Sequence, residues 1–119
     1  MQGRNTLPYE RLEVGKMRKI ESQMLDAIRQ GKSWELDNTR VYVCGDSVRV
    51  YLFNNLICMI DNGLSGREMY VKTTYQSATT KSRLNAILRE FCNTSIYQKD
   101  YIWYYSDNTY TNGARTFFI

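Results

Sequence analysis

No histidine occurs among the 119 residues, which removes the Ser–His and Cys–His nucleophile pairs and most zinc hydrolase sites. One set of side chains remains that could do chemistry: Asp61, Glu68 and Lys72, the residue types of a metal-dependent nuclease. Glu68 and Lys72 stand four apart on a strand-like run, a spacing that spreads them along one face, and no second convincing carboxylate joins them. Cys44, Cys58 and Cys92 are odd in number, far apart and without the basic neighbours that lower a thiol pKa. They read as reduced structural cysteines, not as a disulfide framework, a nucleophile or a metal site. The seven glycines are scattered and form no phosphate-cradling loop. The expectation is a chain with no catalytic residue, no metal and no cofactor, and so not an enzyme.

Two groups of residues point instead to binding. Lys81 and Arg83 fall in the first turn of a predicted helix, where positive charge opposes the helix dipole at roughly 0.3–1 kcal/mol each. With Thr79, Thr80, Ser82 and the free N–H groups of the turn they could hold a phosphate or carboxylate. The plainer alternative is that both cations bend into solvent or pair with an acid. The second group lies on one side of a predicted sheet, where Arg40, Tyr42, Arg49, Tyr51 and Phe53 alternate onto a common face that Tyr101, Trp103 and Tyr105 would extend. Such a face serves cross-strand pairing, a protein interface or stacking of single-stranded nucleic acid, and the residues alone leave the three open.

Elements positioning these residues follow from period and punctuation. Residues 1–16 read as a flexible leader or an extension of the first helix, and 17–119 as a single domain. Met17, Ile20, Met24, Ala27 and Ile28 recur at three and four, predicting a helix over about 11–30 that Gly31 ends. Leu12-Glu13-Val14 just upstream suggests Met17 as an alternative start. Strand-like alternation follows over 40–44, 47–53, 56–60 and 67–74, with turns at Gly45-Asp46, Asn54-Asn55 and Asp61-Asn62-Gly63. Thr79-Thr80 then reads as the cap of a second helix, whose Leu84, Ile87, Leu88 and Phe91 share one side. Runs over 96–105 and 115–119 complete the order α-β-β-β-β-α-β-β. The fold class is α+β, an antiparallel sheet of about five to six strands with two helices on one face.

Ten tyrosines, four phenylalanines and two tryptophans against one proline lean the chain toward β structure. The net charge of +4 permits an anionic partner without requiring one. No apolar run reaches the length of a membrane span, so a soluble cytoplasmic protein without a membrane partner is expected.

Residues 77–88, Ser-Ala-Thr-Thr-Lys-Ser-Arg-Leu-Asn-Ala-Ile-Leu, resemble a segment of small tailed-bacteriophage proteins in which a few strands precede a TTKSRLN-like helix start. Asn38-Thr39-Arg40-Val41-Tyr42-Val43 and Val50-Tyr51-Leu52 are similar to those strands. The likeness covers about 17–92 and stops short of the C-terminal part with Trp103. It implies phage origin, and by association with that class a non-enzymatic accessory protein that binds and modulates, as an inhibitor would, a host or defence protein in the host cytoplasm. The partner-binding residues are then Arg40, Tyr42, Arg49, Tyr51, Thr79, Thr80, Lys81, Arg83 and Trp103. The alternative is a nucleic-acid-binding module using the same groups, and a homo-oligomer stays open.

Overall fold

The computed structural model describes residues 18–63 and 66–119. The leader and the alternative start at Met17 lie outside the described residues. Helix α1 (Lys19–Gln30) buries Glu21, Met24, Leu25, Ala27 and Ile28, the three-and-four stripe by which a helix lies on a core. Gly31 ends it at a left-handed φ of 65°, its N–H directed to the carbonyls of Ala27 and Ile28, as glycine does at least cost.

Five strands follow: β1 (Trp34–Leu36), β2 (Thr39–Cys44), β3 (Ser47–Leu52), β4 (Asn55–Gly63) and β5 (Gly66–Lys72). Two-residue links join β1 to β2, β2 to β3 and β3 to β4, so successive strands pair antiparallel. At the β3–β4 link Phe53 and Asn54 take φ of 50° and 67°, the left-handed pair that a type I′ hairpin needs. The turn thus sits one residue earlier than the Asn54-Asn55 dipeptide suggests, and Asp61-Asn62-Gly63 continues β4 instead of ending it. β1 is too short for alternation to reveal it.

Helix α2 (Ala78–Phe91) is capped by Ser77, whose Oγ accepts the Thr80 N–H at 3.1 Å. The cap is therefore Ser77, not the Thr79-Thr80 pair. The run over 96–105 is not one strand. It folds back as β6 (Ile96–Lys99) and β7 (Ile102–Tyr105), because Asp100 and Tyr101 adopt φ of 53° and 67° and close a further two-residue hairpin. β8 (Ala114–Phe118) returns to pair with β5.

The sheet runs β1-β2-β3-β4-β5-β8, six strands, with β6-β7 as a separate pair. The class is the α+β sheet-and-two-helices arrangement the sequence implies. Val41, Val50, Leu52, Cys58, Ile60, Met69 and Val71 form one side of the sheet and share a single core with Met24, Leu25, Ile28, Leu84, Ile87 and Leu88 of the helices. The β6–β7 hairpin closes the rest of that side, contributing Ile96, Trp103 and Tyr105. Asn85 pins it to α2, its amide donating to the Ile96 carbonyl at 3.0 Å and accepting the Ile96 N–H at 2.6 Å.

Candidate contact surface on the open sheet face

Both helices and the hairpin sit on one side, and among the described residues no element covers the other. Register builds that open face. Arg40 is paired with Tyr51, Tyr42 with Arg49, and Arg49 in turn with Met59 and Tyr70 beyond it. The Arg40 guanidinium lies over the Tyr51 ring, 4.5 Å from its centroid, a cation–π contact between cross-strand neighbours. Tyr42 is 46% and Phe53 56% exposed. Neither Arg40 nor Arg49 makes a hydrogen bond or ion pair with a described residue, and the Nε of each is covered and unpartnered. Beside Arg40 a groove of about 430 Å³ runs between Glu35, Asp37, Asn38, Tyr51, Phe53 and Asn54. Charge on the face is balanced: Arg40, Arg49 and Lys72 stand against Glu35, Asp61 and Glu68 in the paired rows.

The start of α2 is arranged differently from an anion cradle. Arg83 is 3% exposed, and its Nη1 pairs with Glu21 Oε2 at 2.7 Å while its Nε donates to Thr39 Oγ1 at 3.0 Å. Ser82 donates to the same Glu21 oxygen. Thr39 Oγ1 donates onward to Asn38 Oδ1 at 2.8 Å. A buried polar network therefore ties α1, α2 and β2 together, and Arg83 belongs to the interior, not to a contact surface. Thr80 is also buried, with its hydroxyl on Ser77 at 2.9 Å. Lys81 leans over the hairpin, its Nζ donating to Gln98 at 3.1 Å and lying 6.0 Å from the Trp103 ring. Thr79 is half-buried. The missing signal was at Glu21, an acid in register with Met24, Leu25 and Ile28: a carboxylate on an apolar stripe requires a cation, and Arg83 occupies the matching place beside Leu84 and Ile87.

Trp103 and Tyr105 do not extend the open face. They belong to β7 on the core side, Trp103 4% exposed and Tyr105 fully enclosed, since the hairpin turn at 100–101 folds their strand over the sheet. Only Tyr101, at the turn, stands free. Tyr105 packs edge-on to Phe117, and Arg115 lies 4.8 Å and 4.7 Å from the two ring centroids while pairing with Asp107 at 3.1 Å. Burial pushes the Tyr105 hydroxyl up to about 12. Asp107 is held down at about 2, first by its bond from the Thr109 side chain and then by Arg115.

Residues 17–118, which span the face, the buried network and the hairpin, match the sequence profile of the family described as Kyanoviridae Gp96 protein. The chain belongs to that family. It is therefore a phage protein. No curated protein and no solved structure matches it.

Other chemistry is sparse among the described residues. Asp61 and Glu68 are cross-strand partners, but Lys72 lies four residues along the strand from Glu68, about 13 Å away, so the three do not converge. Among the described residues no group of three or more Cys, Asp or Glu is placed to hold a metal. Cys58 is fully enclosed, and burial pushes its thiol far up; Cys92 is raised for the same reason, and Cys44 is exposed. No described helix is long and apolar enough to cross a membrane.

Proposed function

We propose that this phage protein is a non-enzymatic accessory factor that binds and modulates a host or defence protein in the host cytoplasm, through the open sheet face. Arg40, Tyr42, Arg49, Tyr51 and Phe53 make the contact, with Lys81 and Thr79 at the margin of the molecule. The observation that supports it is the composition of the uncovered face: tyrosine, arginine, methionine and phenylalanine side by side, with three cations set against three anions. Protein interfaces are enriched in Tyr, Trp, Met and Arg. A nucleic-acid groove carries a net positive field, because phosphate neutralisation supplies most of its affinity, and balanced charge does not provide one. The TTKSRLN-like helix start has a different role in this reading. Its Ser82 and Arg83 hold the two helices to β2 while Thr80 closes the Ser77 cap, so these three residues position the face without touching the partner.

The test uses the full chain and the variant Tyr42→Ala/Arg49→Glu, both immobilised and exposed to host lysate, beside binding of short single- and double-stranded oligonucleotides at low salt. The expected result is a protein retained at least tenfold better by the wild type, with weak oligonucleotide binding. Equal retention by the variant contradicts the proposal. Oligonucleotide affinity that is tight, falls steeply with salt and drops in the variant transfers the face to nucleic acid.

A further inference from the structure

The sheet has two ends, and they are not alike. At one end β1 is three residues long with Glu35 at its centre, a short and charged edge of the kind that resists pairing. At the other end β8 is five residues, Ala-Arg-Thr-Phe-Phe, with unbroken register to β5. It has no proline, no lysine and no bulge. Its charged side chain, Arg115, is laid across the rings of Tyr105 and Phe117 and tied to Asp107, so it does not guard the edge.

Hydrogen bonding defines which groups of β8 are free. The Thr73 N–H donates to the Gly113 carbonyl at 2.8 Å and the Ile119 N–H to the Arg67 carbonyl at 3.0 Å. Odd-numbered residues of β8 therefore turn their backbone groups toward β5. Ala114, Thr116 and Phe118 turn theirs outward. All three are exposed, Phe118 at 76%, and none has an outward backbone hydrogen bond to a described residue.

We infer that β8 is a self-pairing edge, joining two copies of the chain antiparallel about Thr116 into one continuous sheet. Self-complementarity of the strand selects the second copy as occupant. Centring on Thr116 sets Thr116 opposite its own copy and Ala114 opposite Phe118, so every outward-facing backbone group of the strand finds a partner and the smallest side chain meets the largest. It also sets Arg115 opposite Phe117, ring against cation, the contact Arg115 already makes within one chain. Centring on Arg115 instead opposes two like charges, and centring on Phe117 leaves Ala114 unpaired. The pairing is isologous and closes at two copies. Its two-fold axis is perpendicular to the sheet, so both open faces lie on the same side and the contact surface is doubled. Five residues of edge make a small interface by the standard of ~1,200–2,000 Å², so dimer and monomer interconvert with concentration.

Sedimentation velocity of the full chain over a concentration series tests this, independently of what the open face binds. The expected result is a mass rising from the 14.0 kDa of one chain toward twice that value. Thr116→Pro removes an N–H that β5 does not use, a position where an edge strand accepts proline, and should hold the chain monomeric with its circular dichroism unchanged. Thr116→Lys, which keeps every backbone group and opposes two cations at the axis, should do the same if the proline variant misfolds. A wild type that stays monomeric throughout overturns the inference, as does a dimer that both variants retain. A monomer whose Thr116→Pro form loses a lysate partner also overturns it, and gives the edge to a foreign strand.

Discussion

Glu21 and Arg83 each sit on the apolar stripe of a helix, and each is buried because the other is there. Taking a carboxylate or guanidinium out of water costs several kcal/mol, and the pair recovers it only with good geometry and further hydrogen bonds. Here Ser82, Thr39 and Asn38 supply those bonds. Arg83→Ala leaves Glu21 buried and unmatched, and should lower unfolding free energy by about 3–5 kcal/mol in urea titration. The double variant Glu21→Met/Arg83→Leu, which removes both charges, should regain most of it. Equal losses in the two would show that the pair is not coupled. The sequence carried this pair in its spacing, yet Arg83 reads as a surface cation because helix first turns are usually exposed. Nothing local to residue 83 says that α1 will lie across it. The alternation of Arg40, Tyr42, Arg49 and Tyr51, by contrast, is local, and their common face was legible.

At the scale of elements, hairpin links explain what could be read and what could not. Gly31 and the Gly45-Asp46 turn announce themselves by residue type, whereas Phe53 and Tyr101 take left-handed conformations that their side chains disfavour. A reader of propensities places turns at asparagine and glycine, and so shifts the β3–β4 turn by one and misses the β6–β7 turn altogether. That miss is what sent Trp103 and Tyr105 to the wrong side of the sheet. Phe53 is both conformationally costly and exposed beside the Arg40 groove. Phe53→Asn should therefore raise stability by roughly 0.5–1 kcal/mol, since Asn tolerates positive φ, and should weaken partner retention in the same preparation. A destabilised protein would mean that Phe53 has a packing role, and unaltered retention would remove it from the contact.

Over the whole molecule, the sheet is a divider: one side is sealed by two helices and a hairpin, the other carries the basic, acidic and aromatic groups that nothing described covers. The sealed side sets an alkaline limit. With Tyr105 raised to about 12 by burial against an ordinary value near 10, the unfolded chain loses this proton first as pH rises. Stability should be unaffected by this group below pH about 10 and fall between about 10 and 12. Tyr105→Phe should flatten that fall in thermal unfolding followed against pH, and an unchanged slope would place its cause elsewhere.

The open side is tested most directly by a photo-crosslinking amino acid placed at Tyr42, in the protein expressed within host cells. Illumination should yield a covalent adduct with another protein, and the same probe at Tyr97 on the hairpin should not. Adducts confined to nucleic acid, or no adduct at Tyr42 while Tyr97 gives one, would contradict the assignment of this face as the protein-binding surface.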